Sequence, residues 1–326
     1  MRAVLCTTFE GPSALKVGEA ADPLPAVDEV VIDVHAASVS YMDLLMVQGG
    51  YQMRPELPYI PGTDAAGVVA AVGADVTKVS PGDCVVGTGW HGAYAERMVV
   101  KQWRCARLPD GVGMDVASTV VHAYITAYYS LIERAALQSG QTLLITGAAG
   151  GVGLATVDIG RMLGARVIAG IGDDAKADIV RHYGAEAVIN LRTEDLRARV
   201  KNLTGGRGID VCFELLGGET FLTMARLMAW GGRLMPVGFV TGQIPTLPMN
   251  LPLLKNFSVV GVFAGAWIDA HPAQASAAVD RILAWVAQGA IVPHVDRVLP
   301  LAEAAEALRL VADRQVQGRV VLSLDR

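Results

Sequence analysis

The chain has no run of about 18 uninterrupted apolar residues, which excludes a helical membrane span. Its nearest approach, VASTVVHAYITAYYSLI at 116–132, is broken by Ser, Thr and His and is spaced as a buried or half-buried helix. Cysteine is scarce: Cys6, Cys84, Cys105 and Cys212 stand far apart and form no C-x-x-C pair. That leaves no disulfide framework and fits a reducing cytoplasm. Positive charge is not in excess either. The net charge is −5, and no basic stripe is interleaved with aromatics, so nucleic acid is not an expected partner. The opening MRAVLCTTFEG has neither the extended apolar core nor the small-residue cleavage site of a secretory signal. Internal repeats and low-complexity segments are missing as well. What remains is a chain of 326 residues, 52% apolar and only 18% charged, which excludes disorder and implies one large or two medium domains.

The pattern of strands changes along the chain. Over 1–117, short alternating or apolar runs (AVLCTTF, EVVIDVHAASVS, AAGVVAAVG, DCVVGT, YAERMVV) are separated by turns such as PGTD, SPGD and PDG, which predicts a β-rich domain. Over 118–264, strand-like runs alternate with helical ones: TLLIT, RVIAG, AVIN, DVCFEL, GGRLMPVG and FSVVGVF each have a helical stretch nearby. This alternation predicts an α/β fold with a doubly wound parallel sheet. Over 265–326 come an Ala-rich helix, a strand HVDRVLP, another helix and a strand RVVLSL. These tail strands are expected to rejoin the first domain, because that leaves fewer bare sheet edges.

The segment GAAGGVG at 147–153 lies between a buried strand and a helix whose Val152, Ala155, Ile159 and Leu163 share one stripe. Ala148 takes the first place of a G-x-G-x-x-G pattern. At such a junction bare backbone can approach a diphosphate, and the free N–H groups of a helix start favour its charge. Ala149, Gly150, Gly151 and Val152 are the candidate dinucleotide-binding residues; the competing reading is a Gly-rich turn in a structural βαβ unit. The second strand ends at Gly172 rather than at an acid, with Lys176 beyond it. Lys176 would pair with a ribose 2′-phosphate and favour NADPH, whereas Asp173 and Asp174 would repel it, so NADH stays open.

The ordered set VSYMDLLMVQGGY (39–51), PYIPGTDAAGVVAAVG (58–73), VSPGDCVVG (79–87), TAYYSL (126–131), AAGGVGLATVDIGRMLGARVIA and AWGGRLMPVGF (229–239) resembles the medium-chain dehydrogenase/reductases. Within them it is similar to the zinc-free NADPH:quinone oxidoreductases related to zeta-crystallin. The resemblance spans nearly the whole chain. It implies a Rossmann domain inserted in a β-rich GroES-like catalytic domain, with the active site in a cleft between them. Zinc-dependent members carry Cys in the segment matching 39–43 and Gly-His-Glu at 62–64. Here those places hold Ser40 and Gly62–Thr63–Asp64, and the six histidines never pair at ligand spacing, so no zinc is expected.

Hydride transfer without a Lewis acid suits acceptors whose own π system takes up the charge, namely quinones and α,β-unsaturated carbonyls. The resemblance implies Tyr51 as the proton donor, or else a tyrosine that only shapes the cleft, and Ser40, Tyr41 and Tyr51 as substrate-binding residues. It implies Thr126, Phe239, Val262 and Phe263 near the nicotinamide, although all four also read as core. Leu191 stands where relatives often have a tyrosine near the 2′-phosphate, with Arg192 beside it. His35 and His122 read as core residues. The alternatives are an enoyl-thioester or enone reductase, and a nucleotide-binding protein without turnover. NLPLLKNFSVVGVF (250–263) ends in an apolar run suited to edge-to-edge pairing, so a homodimer is expected, with a tetramer also open.

Overall fold

Short strands dominate the first third of the computed structural model, which describes residues 1–324. β1 (Arg2–Leu5) and β2 (Lys16–Glu19) form an antiparallel ribbon. β3 (Glu29–Val39) is followed by α1 (Tyr41–Val47), then β4 (Asp64–Val72), β5 (Cys84–Thr88), β6 (Arg97–Lys101), β7 (Cys105–Arg107) and the long α2 (Met114–Tyr128). β3 is the spine of this part. It pairs antiparallel with β4 and with β6, and the register slips twice against β4, near Val31 and Val34. Gly67 on β4 sits opposite one of these irregularities; a side chain there would overlap the Asp33 carbonyl.

The middle of the chain switches to strand–helix alternation. β8 (Thr142–Thr146), α3 (Gly151–Met162), β9 (Arg166–Ile171), α4 (Ala177–His182), β10 (Ala187–Asn190) and α5 (Leu196–Thr204) are followed by β11 (Ile209–Glu214), α6 (Gly218–Leu227), β12 (Met228–Pro236), α7 (Asn250–Lys255) and β13 (Ser258–Val259). All neighbours in this six-stranded sheet run parallel, in the order β10-β9-β8-β11-β12-β13. Numbered within the sheet that is 3-2-1-4-5-6, the doubly wound Rossmann order. Each residue of β8 is buried, as a central strand covered on both faces must be. The order reverses between β8 and β11, so their carboxyl ends flank the crevice in which this fold binds ligands.

After α8 (Ala264–Ala270) and α9 (Pro272–Ala287), β14 (Val295–Pro300), α10 (Ala304–Ala312) and β15 (Arg319–Ser323) complete the described chain. β15 pairs antiparallel with β3, Val320 facing Val39, and β14 lies beyond it. The tail therefore extends the first sheet to seven strands, in the order β14-β15-β3-β4-β5-β7, with β6 also on β3. The chain forms two units: Met1–Ile125 with Ile268–Arg326, and Thr126–Trp267. These limits lie a few residues beyond the 117 and 264 boundaries read from the pattern, because the first change of unit falls inside the continuous helix α2, where no breaker marks it.

Two expectations change, and one helix start is explained. The run FSVVGVF contributes only Ser258 and Val259 to the sheet; Val260 and Val262 bond singly to Leu234 and Pro236 of β12. The rest of that run lies at a sheet edge without a further strand to hold it extended. His35 is exposed, because it occupies an outward position of β3. The stretch after Ser40 is helical, and its start was written in S-x-x-D. The Ser40 hydroxyl accepts from the Asp43 N–H, while the Asp43 carboxylate accepts from the Ser40 N–H, a reciprocal cap.

Candidate functional site

β8 delivers the chain to a turn in which Gly147 takes φ +66°. The Ala148 N–H donates to the Gly170 carbonyl at 3.0 Å, tying the turn to β9, and the Gly150 N–H returns to the Gly147 carbonyl at 3.2 Å. Gly150 then caps α3 without any side chain of its own. The first-turn N–H groups of Gly151, Val152 and Gly153 consequently have no intrahelical acceptor and point out of the positive end of the helix. Two glycines of this loop are required for different reasons. A methyl group on Gly153 would overlap the Gly147 carbonyl oxygen and lie 2.9 Å from Ala148 Cα, so the helix can pack on its own loop only with glycine there. Gly150 has φ −80° and ψ 173°, open to any residue, and a methyl on it would meet only the Gly147 oxygen at 3.6 Å. The fold does not need glycine at 150. A phosphate approaching the helix start does, and in this respect the loop fits a dinucleotide.

The neighbouring strand end is held by a pair that belongs to no sequence motif. Glu214, the last residue of β11, is fully buried. Its carboxylate accepts from the Thr146 hydroxyl at 3.1 Å and from the N–H groups of Leu216 (3.0 Å) and Gly217 (2.9 Å). Thr146 in turn accepts from the Leu215 N–H at 2.8 Å. Burial raises the Glu214 pKa, and these three donors oppose the rise. The latch joins the carboxyl ends of β8 and β11 at the switch point. It also seats the next loop, since Val240 and Thr241 donate to the carbonyls of Leu215 and Leu216, and Phe239 packs against Gly217. An acid closing the apolar run DVCFE was the one signal for it.

At the end of β9 the two aspartates are engaged. Asp173 accepts from the Ala175 N–H at 3.0 Å, and Asp174 accepts from Asn190 Nδ2 at 2.8 Å. The Arg192 side chain lies against Gly172, its Nε at ordinary contact distance from where a Cβ would stand. Arg192 is exposed and has no carboxylate partner among the described residues. Lys176 ends the short 3-10 turn Asp174–Lys176 and is half-buried. Gly172 and Arg192 thus touch just beyond β9, whose Gly170 is bonded to the glycine loop, and Lys176 follows Gly172 by four residues.

The remaining cofactor candidates are more dispersed. Phe239 and Val262 are half-buried near the carboxyl end of β12, and Phe263 is half-exposed just before α8. Thr126 is buried in α2, with its carbonyl accepting from the Ser130 hydroxyl at 2.6 Å.

In the other unit, Ser40 is buried and its hydroxyl serves the α1 cap, while Tyr41 and Tyr51 are half-buried against the surrounding apolar core. The Tyr51 hydroxyl has no hydrogen-bond partner among the described residues, its ring stands 6.4 Å from that of Trp90, and burial raises its pKa. Beneath the segments at 39–43 and 62–64 lies a charged network. The Tyr94 hydroxyl donates to Asp43 at 3.1 Å; the Thr88 hydroxyl and the His122 N–H donate to Asp64 at 2.7 and 2.8 Å. Arg319 is buried among them, donating to the Val39 carbonyl at 3.3 Å. Burial pushes the Asp64 pKa up and that of Asp43 up to about 6, opposed by the hydrogen bonds from Thr88 and His122 to the one and from Ser40 to the other, and then by the Arg319 charge. His122 is half-buried and driven down to about 3 by desolvation and then by Arg319, which makes it a poor base. Among the described residues no three His, Cys, Asp or Glu side chains gather as a metal-ligand set.

Comparison with known proteins matches residues 26–110 to the Alcohol dehydrogenase GroES-like domain and residues 151–284 to the family described as Zinc-binding dehydrogenase. Quinone oxidoreductase-like protein 2 of Rattus norvegicus is 36% identical over 99% of this chain and 92% of its own. Human quinone oxidoreductase is 32% identical over 99% of this chain and 98% of its own. The crystal structure of Escherichia coli quinone oxidoreductase complexed with NADPH superposes with a TM-score of 0.92 at 27% identity, covering 99% of this chain and 100% of that one.

The two loop glycines should separate in experiment. Gly153→Ala should cost about 1–3 kcal/mol of stability by overpacking. Gly150→Ala should stay within about 0.5 kcal/mol of the parent in urea denaturation, yet weaken NADPH binding about tenfold or more by calorimetry. Equal effects on both properties would refute the distinction. The Asp43 network gives a pH signature. With its folded pKa raised from 3.8 to about 6, Asp43 binds its proton more tightly in the folded state than in the unfolded chain. The resulting stabilisation is complete below the unfolded value and fades as pH rises through the folded one, a loss on the order of 2 kcal/mol. Urea unfolding between pH 4 and about 6.5 should show that decline, and Asp43→Asn should flatten it.

Proposed function

The chain belongs to the quinone oxidoreductase family of the medium-chain dehydrogenase/reductases, and from that premise we propose that it passes hydride from NADPH to a quinone or another electron-poor acceptor. The observation that carries the reading is Gly150, a glycine at a helix start that the fold itself does not require. In this reading the N–H groups of Gly151, Val152 and Gly153 hold the pyrophosphate, with Ala149 and Gly150 keeping the approach bare. Lys176 and Arg192 neutralise the ribose 2′-phosphate, while Asp173 and Asp174 accept hydrogen bonds from Ala175 and Asn190. Thr126, Phe239, Val262 and Phe263 flank the nicotinamide. NADPH, when bound, supplies the hydride.

Tyr51 has the attributes of the proton donor. Its hydroxyl is unpartnered among the described residues, and burial keeps the phenol neutral across the physiological range. One hydride and one proton convert a quinone to its hydroquinone, and the acceptor's π system carries the charge between the two arrivals. No Lewis acid is called upon in this scheme. The four cysteines are free thiols, in keeping with a cytoplasmic location.

We further infer a homodimer. β13 is the edge of the parallel sheet and bears the exposed Val259; Trp230 on β12 and Leu253 and Leu254 on α7 are also exposed, at 75%, 78% and 69%. Pairing of two such edges about a two-fold axis would cover that apolar surface. Light scattering should give twice the 34.3 kDa of one chain, and a monomer at micromolar concentration would overturn the inference.

Oxidation of NADPH at 340 nm with 1,4-benzoquinone, 9,10-phenanthrenequinone and trans-2-enoyl-CoA tests the activity. Quinone-dependent oxidation is expected, and Tyr51→Phe should lower kcat about 100-fold. Arg192→Ala should weaken NADPH about tenfold and leave NADH unaltered. Saturable NADPH binding without oxidation by any acceptor would instead identify a nucleotide-binding protein without turnover. Reaction with the thioester alone would identify an enoyl reductase.

A further inference from the structure

Trp90 lies in the loop after β5, where an aromatic side chain would ordinarily be free to move. Here several groups restrain it. Its Nε1–H donates to one carboxylate oxygen of Asp269 at 3.0 Å, and the other oxygen of Asp269 is bound by the Arg104 guanidinium. The Arg104 side chain, only 10% exposed, holds its cation 6.0 Å from the Trp90 ring centre and 4.8 Å from that of Trp103. Tyr51 meets the indole at 6.4 Å and a tilt of 47°. Asp269 belongs to α8 and Arg104 to the turn between β6 and β7, so segments far apart in the chain converge on one half-buried ring.

We propose that Trp90 is a specificity-determining residue, an indole held in place by Asp269 and Arg104 so that, beside Tyr51, it receives the outer rings of a polycyclic aromatic quinone. The proposal rests on the acceptor reading given above. An acceptor whose oxygen takes the Tyr51 proton must lie against the tyrosine, and the ring next to that tyrosine is Trp90. A single-ring quinone can satisfy Tyr51 and reach little further. Fused rings extend along the fixed indole and gain an aromatic contact whose geometry is already set, with little ordering left to be done on binding. Asp269 and Arg104 are positioning residues in this arrangement, acting through Trp90 rather than on the acceptor.

The test compares kcat/KM for 9,10-phenanthrenequinone and 1,4-benzoquinone, together with tryptophan-fluorescence quenching by the tricyclic quinone in the NADP+-loaded protein. Trp90→Ala should lower the tricyclic-to-monocyclic ratio about tenfold, and Trp90→Phe, which keeps a ring there, by about threefold or less. Asp269→Asn should raise KM for the tricyclic quinone and leave its kcat in place, since it loosens the indole without touching the chemistry. Saturable quenching should lose most of its amplitude in Trp90→Phe. If the alanine variant does not fold, the phenylalanine variant and the quenching decide. A wild-type ratio preserved in every folded variant, or quenching unchanged in Trp90→Phe, overturns the role of Trp90. Wild-type protein that reduces no quinone at all overturns the acceptor reading itself.

Discussion

Glu214 carries a carboxylate to a place without solvent, and the groups that converge on it hold the centre of the parallel sheet in working order. The strand order reverses between β8 and β11, so their carboxyl ends flank the crevice of this fold. Any ligand site there depends on how far apart those ends stand. Thr146 donates to the Glu214 carboxylate and accepts from the Leu215 N–H, so one hydroxyl bridges the two strand ends. The same carboxylate gathers the N–H groups of Leu216 and Gly217 and thereby seats the loop carrying Phe239. A buried acid left without those donors would be costly, which gives the arrangement its rigidity. The glycine loop then has a fixed floor from which to present the start of α3.

The other unit solves a related problem with charge. Asp43, Asp64 and Arg319 are all buried; the arginine charge offsets part of the penalty on both carboxylates and they offset part of its own, while the two carboxylates repel one another. Ser38 Oγ, Thr63 Oγ1, Asp43 Oδ1 and two nitrogens of Arg319 have no hydrogen-bond partner among the described residues. Unpaired donors and acceptors in the same neighbourhood are what ordered water serves. The network anchors α1, β4 and β15 together, and α1 leads into the loop bearing Tyr51.

Much of this was legible in the sequence. The strand–helix alternation from TLLIT onward specified the parallel sheet because central strands are apolar throughout and glycine marks the turn. The return of RVVLSL to the first sheet followed from the need to cover an edge. The cap at Ser40 was also written, in Asp43 three residues on. Other features were not legible, for physical reasons. Glu214 with Thr146, and Trp90 with Asp269 and Arg104, are contacts between residues 68 and 165 or more positions apart, and no periodicity encodes them. The hydrogen bond to Asp174 depended on where Asn190 would stand. FSVVGVF read as a full strand because its composition suits one, but an edge offers hydrogen bonds on one side only.

The pairing of Val320 with Val39 carries a consequence for how the molecule is made. The partner of β3 over Ala36–Val39 is supplied by residues some 280 positions later, as the Arg319–Val39 bond illustrates. A ribosome has therefore finished the whole contiguous segment Thr126–Trp267 before the mixed sheet can acquire β15. The parallel unit is free to mature early during translation, whereas the N-terminal strands must wait with an open flank, the period in which a nascent chain is most exposed to chaperones and to mispairing.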